Sequence, residues 1–445
     1  MLGTAEWSVR LPAATLNVLT LALMYLLGAT MFSRAVGFVA ALAFVVTPAT
    51  FASGFFMTID APLLCAWTLA LLCVWRGLHA RSGAVGGWLG GGSALALGIL
   101  SKQMMLLFVV LLALFIALNR AYWPALRRPG PYLLLLFATL ALAPLLWWNA
   151  RHDWVMLQHT ASHFHSVRPW YAFIVSWLHF IGTQAGIISP LLWLVLVVTG
   201  VLALRAFYSV PPAARFLSVF SIVPLTVVML LSLRQRILPN WPAVFYLAGC
   251  VLASAAVCGA WDLRAWRDRL ARIFPWALAL GAVEIVGALA VVVVIGVTGW
   301  GERLLEKELS GWRALGAEVH TAAQSLPRPA TTMLMAFDRG LTAELAFYTP
   351  GRPRVYHWTL DIVVLSQYGV WMNERFDKTG WDALIVADKR QRLPFETNRF
   401  ARVAFLRDIS LAGGRRVYAL YHATDLRHWP ALQYRLRPQP LSSHP

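Results

Sequence analysis

The sequence predicts a mostly α, polytopic helical membrane protein of about ten spans with a small C-terminal α/β domain, residues 1–300 forming the first part and 301–445 the second. Three observations predict it. Of 445 residues, 59% are hydrophobic and 13% charged, with a mean hydropathy of +0.63, whereas soluble domains carry about 25% charged residues. Ten apolar runs have the roughly 17–25 residues that cross a bilayer. Past Gly301 such runs stop, and charge and short-period patterning replace them.

The runs fall near 14–31, 36–52, 60–76, 84–100, 103–119, 131–148, 189–205, 216–233, 241–260 and 274–299. Residues 171–188 are half polar, through Trp177, His179, Thr183 and Gln184, and read as a helix lying in the interface. Loop charge supports that reading. With 171–188 on the surface, one set of loops holds twelve basic residues between Arg34 and Arg272, and the opposite set holds five: Lys102, Arg151, Arg168, Arg234 and Arg236. Were 171–188 to span, the basic segment Trp261 to Arg272 would change sides and the bias would mostly vanish. The positive side is therefore cytoplasmic, and Asp60, the loop 149–170 and the C-terminal domain are outside. The same topology places residue 1 outside and predicts a further helix upstream of Met1.

In the C-terminal part, 331–337, 354–358, 383–387, 401–405 and 416–421 read as short strands, and 302–315 and 341–348 as helices. The tail after Trp429 is Pro-rich and reads as loose. Residues 1–300 carry 18 Lys/Arg against 6 Asp/Glu, +12 of the net +18, mostly in short loops where it orients the chain, which explains the high charge without a nucleic-acid partner. Cys65, Cys73, Cys250 and Cys258 all lie in apolar runs and read as small buried hydrophobes, not as disulfides or metal ligands. The glycines at 86–87 and 90–92 read as close helix packing.

Within so apolar a chain, Asp60 stands out, in Phe56-Met-Thr-Ile-Asp-Ala-Pro-Leu63 at the outer mouth of a span. A carboxylate there must be wetted, paired or used. Followed by Ala61-Pro62, it reads equally as a helix N-cap and as a catalytic group. Lys102 lies at another outer helix boundary, where it reads as a snorkelling lysine or a phosphate contact. Outside loops carry two polar clusters among aromatics. One holds Asn149, Arg151, His152 and Asp153 between Trp148 and Trp154, and suits a sugar ring or a phosphate. The other holds Arg234, Arg236, Asn240 and Trp241, and suits a lipid phosphate or a solvated loop. His159, His163 and His165 have no companions at metal-ligand spacing. Glu284 lies deep in the last span, far from these outer groups.

Taken in order, these segments resemble bacterial glycosyltransferase family 39, the dolichyl-phosphate-mannose protein mannosyltransferase-like enzymes that include the lipid A aminoarabinose transferases and have the GT-C fold. The resemblance rests on Glu6-Trp-Ser-Val-Arg-Leu-Pro12, Thr58-Ile-Asp-Ala-Pro-Leu63, Leu100-Ser-Lys102, Trp147-Trp-Asn-Ala-Arg-His-Asp-Trp154 and Pro239-Asn-Trp-Pro242. Ala343-Glu-Leu-Ala-Phe-Tyr348 and Ser366-Gln-Tyr368 extend it into the C-terminal part. It implies transfer of a sugar from a polyprenyl-phosphate donor, with inversion, to a lipid, glycan or protein acceptor on the outer face of the bacterial inner membrane. It implies a base on the acceptor side, matched by Asp60, and cations holding the departing phosphate. No cofactor is expected, and a divalent metal stays open. The family's first outer loop carries an acidic pair, and its counterpart is expected upstream of this chain. A non-catalytic member that binds a polyprenyl lipid or a partner protein is the alternative. A transporter fits less well, because the polar clusters gather on one face and Glu284 alone is deep.

Overall fold

The structure, a computed structural model, describes residues 5–80, 85–162, 170–235, 237–261, 266–298, 311–358, 366–374, 378–389, 399–411 and 416–429. They fall into two compact units. The first takes in residues up to Trp148 and from His163 to Val291; the second takes in Asn149–Ser162 and the chain after Val292. The chain thus does not divide at one point near residue 300, because a short excursion after Trp148 groups with the C-terminal part.

The first unit is helical. Its helices are α1 (Glu6–Met31), α2 (Arg34–Val45), α3 (Pro48–Phe55), α4 (Asp60–His79), α5 (Gly86–Ser101) and α6 (Leu106–Leu118). There follow α7 (Gly130–Arg151), α8 (Val155–Ser162, in the second unit), α9 (Trp170–Ile188), α10 (Pro190–Arg205), α11 (Pro212–Phe220), α12 (Ile222–Ser232), α13 (Ala243–Val257) and α14 (Arg267–Thr298). Each of the ten predicted runs contains a helix. Five helices are long and apolar enough to cross a membrane, and up to eight spans result if each bent pair is one. The bends have local causes. The 72° turn between α2 and α3 falls at Val46 and Thr47, where the Thr47 hydroxyl accepts from Thr50 N and Pro48 opens the next helix. The 106° turn between α9 and α10 falls at Ser189, whose φ is +81°, just before Pro190. That turn sets α9 across α10 rather than antiparallel to it.

The centre of the unit is α4, 67% of whose apolar stretch is buried, against 11% for α14. Trp67 is fully buried there and meets Phe108, Phe220 and Phe245 edge-on, with ring centroids 5.2, 6.3 and 5.7 Å away. Of the glycines at 86–87 and 90–92, Gly87, Gly90, Gly91 and Gly92 pack closely against α4 and α7 as expected, whereas Gly86 faces open space. A side chain on Gly87 would stand 2.7 Å from Gly77 N and 2.9 Å from Cys73 O, and one on Gly91 would stand 3.0 Å from Val74. Loops predicted on the basic side also converge, since Ser33, His79, Pro211 and Ala260 line one cavity. Arg215 Nη1 donates to Asn119 Oδ1 at 3.0 Å in the same region. Of the cysteines, Cys250 is buried as read, Cys65 and Cys73 are half-buried, and Cys258 is exposed, because α13 ends at Val257.

The second unit is an α/β domain with the strand order β2-β1-β3-β5-β4. The strands are β1 (Thr332–Ala336), β2 (Val355–His357), β3 (Asp382–Asp388), β4 (Phe400–Leu411) and β5 (Arg416–Leu426). The first three are parallel, and β5 pairs antiparallel with both β3 and β4. Along β1, Leu334 and Ala336 face a core with α15 (Trp312–Gln324) and α16 (Arg339–Tyr348), while Met333 and Met335 face a second core with Tyr356, Trp358 and Phe400. Burial on both faces explains why β1 and β3 read as continuous apolar runs. Of the predicted helix 302–315, residues 302–310 lie outside the described residues; the described part belongs to a helix that runs on from Trp312 to Gln324. The strands predicted at 401–405 and 416–421 are each longer. A further helix, α17 (Gln367–Glu374), was not anticipated.

Asp382, buried at the start of β3, is the polar anchor of this domain. Its carboxylate accepts from Arg328 Nε at 3.0 Å, from a second Arg328 nitrogen, and from Asp425 N at 3.0 Å, with His422 Nε2 at 3.5 Å. Burial alone pushes the carboxyl up; Arg328, the Asp425 amide and His422 outweigh it, so Asp382 titrates below the usual carboxylate range.

Two outcomes follow from the packing. Gly87→Val forces α4 and α5 apart and is expected to cost about 1–3 kcal/mol, read as a lower melting temperature in detergent. For Asp382 the folded value lies below the unfolded one of about 3.9, so its contribution is fully present above that pH and is lost as pH falls through the folded value. Scanning calorimetry of Asp382→Asn is expected to show a lowered melting temperature at pH 7 and a difference from the wild type that closes toward pH 3.

Candidate functional site

The candidate site lies at the first turn of α4. Asp60 does not cap its own helix: Ile59 occupies the cap position without a side-chain bond, and the Asp60 amide donates to Thr58 Oγ1 at 3.3 Å. Its carboxylate faces across the helix bundle. Lys102 Nζ donates to Oδ1 at 2.8 Å, and Asn240 Nδ2 donates to Oδ2 at 2.6 Å. Both side chains of the ion pair are 14% exposed. Three sequence candidates that lie 42 and 180 residues apart are thus one cluster. Lys102 is not the free snorkelling lysine of the simpler reading. It ends α5 in an extended conformation, with its amide on Gly98 O, and that exit aims the ammonium at α4.

Asn240 stands in the turn before α13, where Ala243 N donates to Asn240 O at 3.3 Å. A buried relay fixes this turn. Trp193 Nε1 donates to the Tyr246 hydroxyl at 3.1 Å, the hydroxyl donates to Gln184 Oε1 at 3.0 Å, and Gln184 Nε2 donates to Pro239 O at 3.0 Å. Gln184 and Tyr246 are each 1% exposed. The sequence reading missed Tyr246 and Trp193. Gln184 was visible only as one of the polar residues that make the stretch 171–188 half polar.

Asp60 and Asn240 form part of the wall of a cavity of about 310 Å³. The rest is mainly apolar, from Phe44, Phe56, Leu64, Ile188 and Tyr246, with the hydroxyls of Thr47 and Thr50 at the break between α2 and α3. An apolar chamber with one carboxylate, one amide and one paired ammonium at its edge suits a ligand with a long apolar part and a small polar head.

The remaining candidates are placed differently. Asn149, Arg151, His152 and Asp153 belong to the second unit. They are not in an extended loop: α7 continues through Pro144 to Arg151, and a tight reversal at Asp153 and Trp154, with φ of +50° and +58°, starts α8. Asn149 is buried and its carbonyl accepts from the amides of His152 and Trp154, at 3.0 and 2.9 Å. Arg234 is exposed in the turn after α12, and Arg236, His163, His165 and Arg168 lie outside the described residues. Trp241 is half-buried beside Asn240, its amide on Leu238 O at 3.1 Å. Glu284 lies in α14, with Oε2 enclosed and unpaired among the described residues.

The ion pair makes a measurable prediction. Lys102→Met strands a largely buried carboxylate and is expected to destabilise the chain by about 1–3 kcal/mol, whereas the double variant Asp60→Asn, Lys102→Met loses less than the sum of the single changes. Melting temperatures of the four proteins in detergent check it.

The model of a family described as dolichyl-phosphate-mannose-protein mannosyltransferase matches residues 1–148, the stretch that holds Asp60 and Lys102. No curated protein matches the chain. Among solved structures, the crystal structure of ArnT from Cupriavidus metallidurans in the apo state is similar over 94% of this chain and 84% of that one, at 17% identity and a TM-score of 0.59. The structure of the same protein bound to undecaprenyl phosphate is similar over the same shares, at 16% identity and a TM-score of 0.58. At that identity the likeness establishes the architecture: the chain has the GT-C fold of membrane glycosyltransferases, a multi-pass helical unit with a small C-terminal sheet domain.

Proposed function

We propose that this protein is a membrane glycosyltransferase that moves a sugar from a polyprenyl-phosphate carrier to an acceptor hydroxyl or amine on a lipid, glycan or protein. The observation that carries the reading is the Asp60–Lys102–Asn240 cluster on the edge of an apolar cavity. A polyprenyl phosphate has the matching form, an isoprenoid chain ending in an anion. The likeness to ArnT, a structure of which is described as bound to undecaprenyl phosphate, agrees with such a donor. In this reading the cluster faces the periplasm and the chain sits in a bacterial inner membrane.

The chemistry has two demands. The acceptor oxygen or nitrogen attacks the anomeric carbon from the face opposite the phosphate and gives up a proton; the Asp60 carboxylate takes it. The bond from the anomeric carbon to the phosphate oxygen breaks, the phosphate leaves with the electron pair, and the configuration inverts. Lys102 supplies the fixed cation that the developing phosphate charge requires. Asn240 holds Asp60 Oδ2, so the carboxylate keeps its direction when Lys102 shifts from Oδ1 to phosphate. Undoing the ion pair is therefore part of donor binding.

A second reading, a lipid-binding member without catalysis, is favoured by one feature: both Asp60 oxygens are already engaged. A transfer assay with radiolabelled polyprenyl-phosphate sugars, in membranes carrying the chain, separates the two. Asp60→Asn is expected to lower transfer by about 10²–10⁴-fold, the usual share of a general base. Transfer that survives Asp60→Asn removes Asp60 from the chemistry. Carrier binding without transfer from any donor leaves the second reading in place.

A further inference from the structure

A second groove in the helical unit is unrelated to Asp60. It has a volume of about 380 Å³ and runs between α10 and the start of α14, within the roughly 300–1,000 Å³ range of small-molecule sites. Val195 and Val198 of α10 and Leu270 and Ile273 of α14 give it apolar walls, and Trp266, Arg269 and Arg272 complete the lining. The two guanidinium groups are held by contacts that leave their charge unspent. Arg269 lies over the Trp266 ring, 5.5 Å from its centre, and Arg272 donates through Nε to the backbone carbonyl of Asp268 at 3.2 Å. Neither is within salt-bridge distance of a carboxylate among the described residues. Asp268 is the acid of that first turn, beside Arg267, Arg269 and Arg272, so the local balance stays positive.

We propose that this groove binds an anionic phospholipid. One acyl chain lies along the exposed Leu194 of α10, Val198 and Ile273, the phosphate sits between Arg269 and Arg272, and Trp266 stands at headgroup level. Each part follows from chemistry. Guanidinium forks bind phosphate oxygens through paired N–H bonds. Tryptophan favours the membrane–water boundary. Basic pockets between membrane helices suit anionic headgroups. The walls decide in favour of a lipid over a soluble anion, because inorganic phosphate gains nothing from four aliphatic side chains. The position of α14 agrees, since only 11% of its apolar stretch is buried by protein. A lipid held at its first turns fills a gap that the neighbouring helix leaves.

The test is native mass spectrometry of the full chain in detergent, with equal amounts of phosphatidylglycerol and phosphatidylethanolamine. The wild type is expected to retain phosphatidylglycerol preferentially. That preference falls by about five-fold for each arginine removed in Arg269→Gln and Arg272→Gln, the effect of about 1 kcal/mol per basic residue near an anionic lipid. Leu194→Trp, at an exposed position of the lining, fills the apolar wall and keeps both charges; it is expected to lower retention of the lipid as well. Equal retention of the two lipids by the wild type overturns the proposal without needing any variant. So does a preference that persists in the double arginine variant. The readout involves no sugar transfer and stands apart from the function proposed for Asp60.

Discussion

The register between α4 and α5 is the constraint on which the candidate site depends. The two helices run antiparallel, and glycines let their backbones approach: Gly87 against Gly77, Gly91 against Val74. Continued along the pair, the same register places residue 102 opposite residue 60. The ion pair of Lys102 with Asp60 is therefore the end of a continuous packing seam and not an isolated surface contact. Helix association in a membrane has little hydrophobic drive, so close van der Waals contact at small residues does this work. A carboxylate in that setting is tolerable because the seam delivers a counter-charge to it.

Broken helices supply the remaining walls. A straight α2–α3 would run past Asp60; the turn at Thr47 and Pro48 instead opens the cavity and lines it with hydroxyls. The turn at Ser189 lays α9 across α10 and brings Gln184 to the loop that carries Asn240. Non-helical backbone is tolerated in a membrane protein where it lines a cavity or is buried in protein. Both breaks meet that condition, and both lie beside the chamber where a ligand with an apolar tail would rest.

The C-terminal domain is built on different physics. Its parallel strands are covered on both faces, and of its buried charges Asp382 is held in one hydrogen-bonded set while Arg416 lies over the Trp312 ring and donates to the Tyr418 hydroxyl. Alternation along β1 and β3 sends successive side chains to two cores, so a single apolar run holds two layers together. The reversal at Asp153 and Trp154 adds a short excursion from the first half of the chain to this unit. Two successive residues with positive φ and large side chains are costly in a free loop, and they persist because the surrounding structure fixes them.

The sequence by itself determined the helical membrane class, the ten apolar segments and most of the strands, because hydropathy and periodicity are local properties of neighbouring residues. It also singled out Asp60, Lys102 and Asn240, each as a polar group at an apolar boundary. It did not show that these three touch, since the partner of a buried charge can lie 180 residues away. Tyr246 and Trp193 were invisible for the same reason: an aromatic residue inside an apolar run carries no sign of the hydrogen bond it makes. The helical continuation over 149–151 was hidden because Asn149 and Arg151 end the apolar run at 148, and α7 carries on past it. Helix crossing, register and the breaks at Thr47 and Ser189 belong to the tertiary structure, and they decided which polar residues became a site.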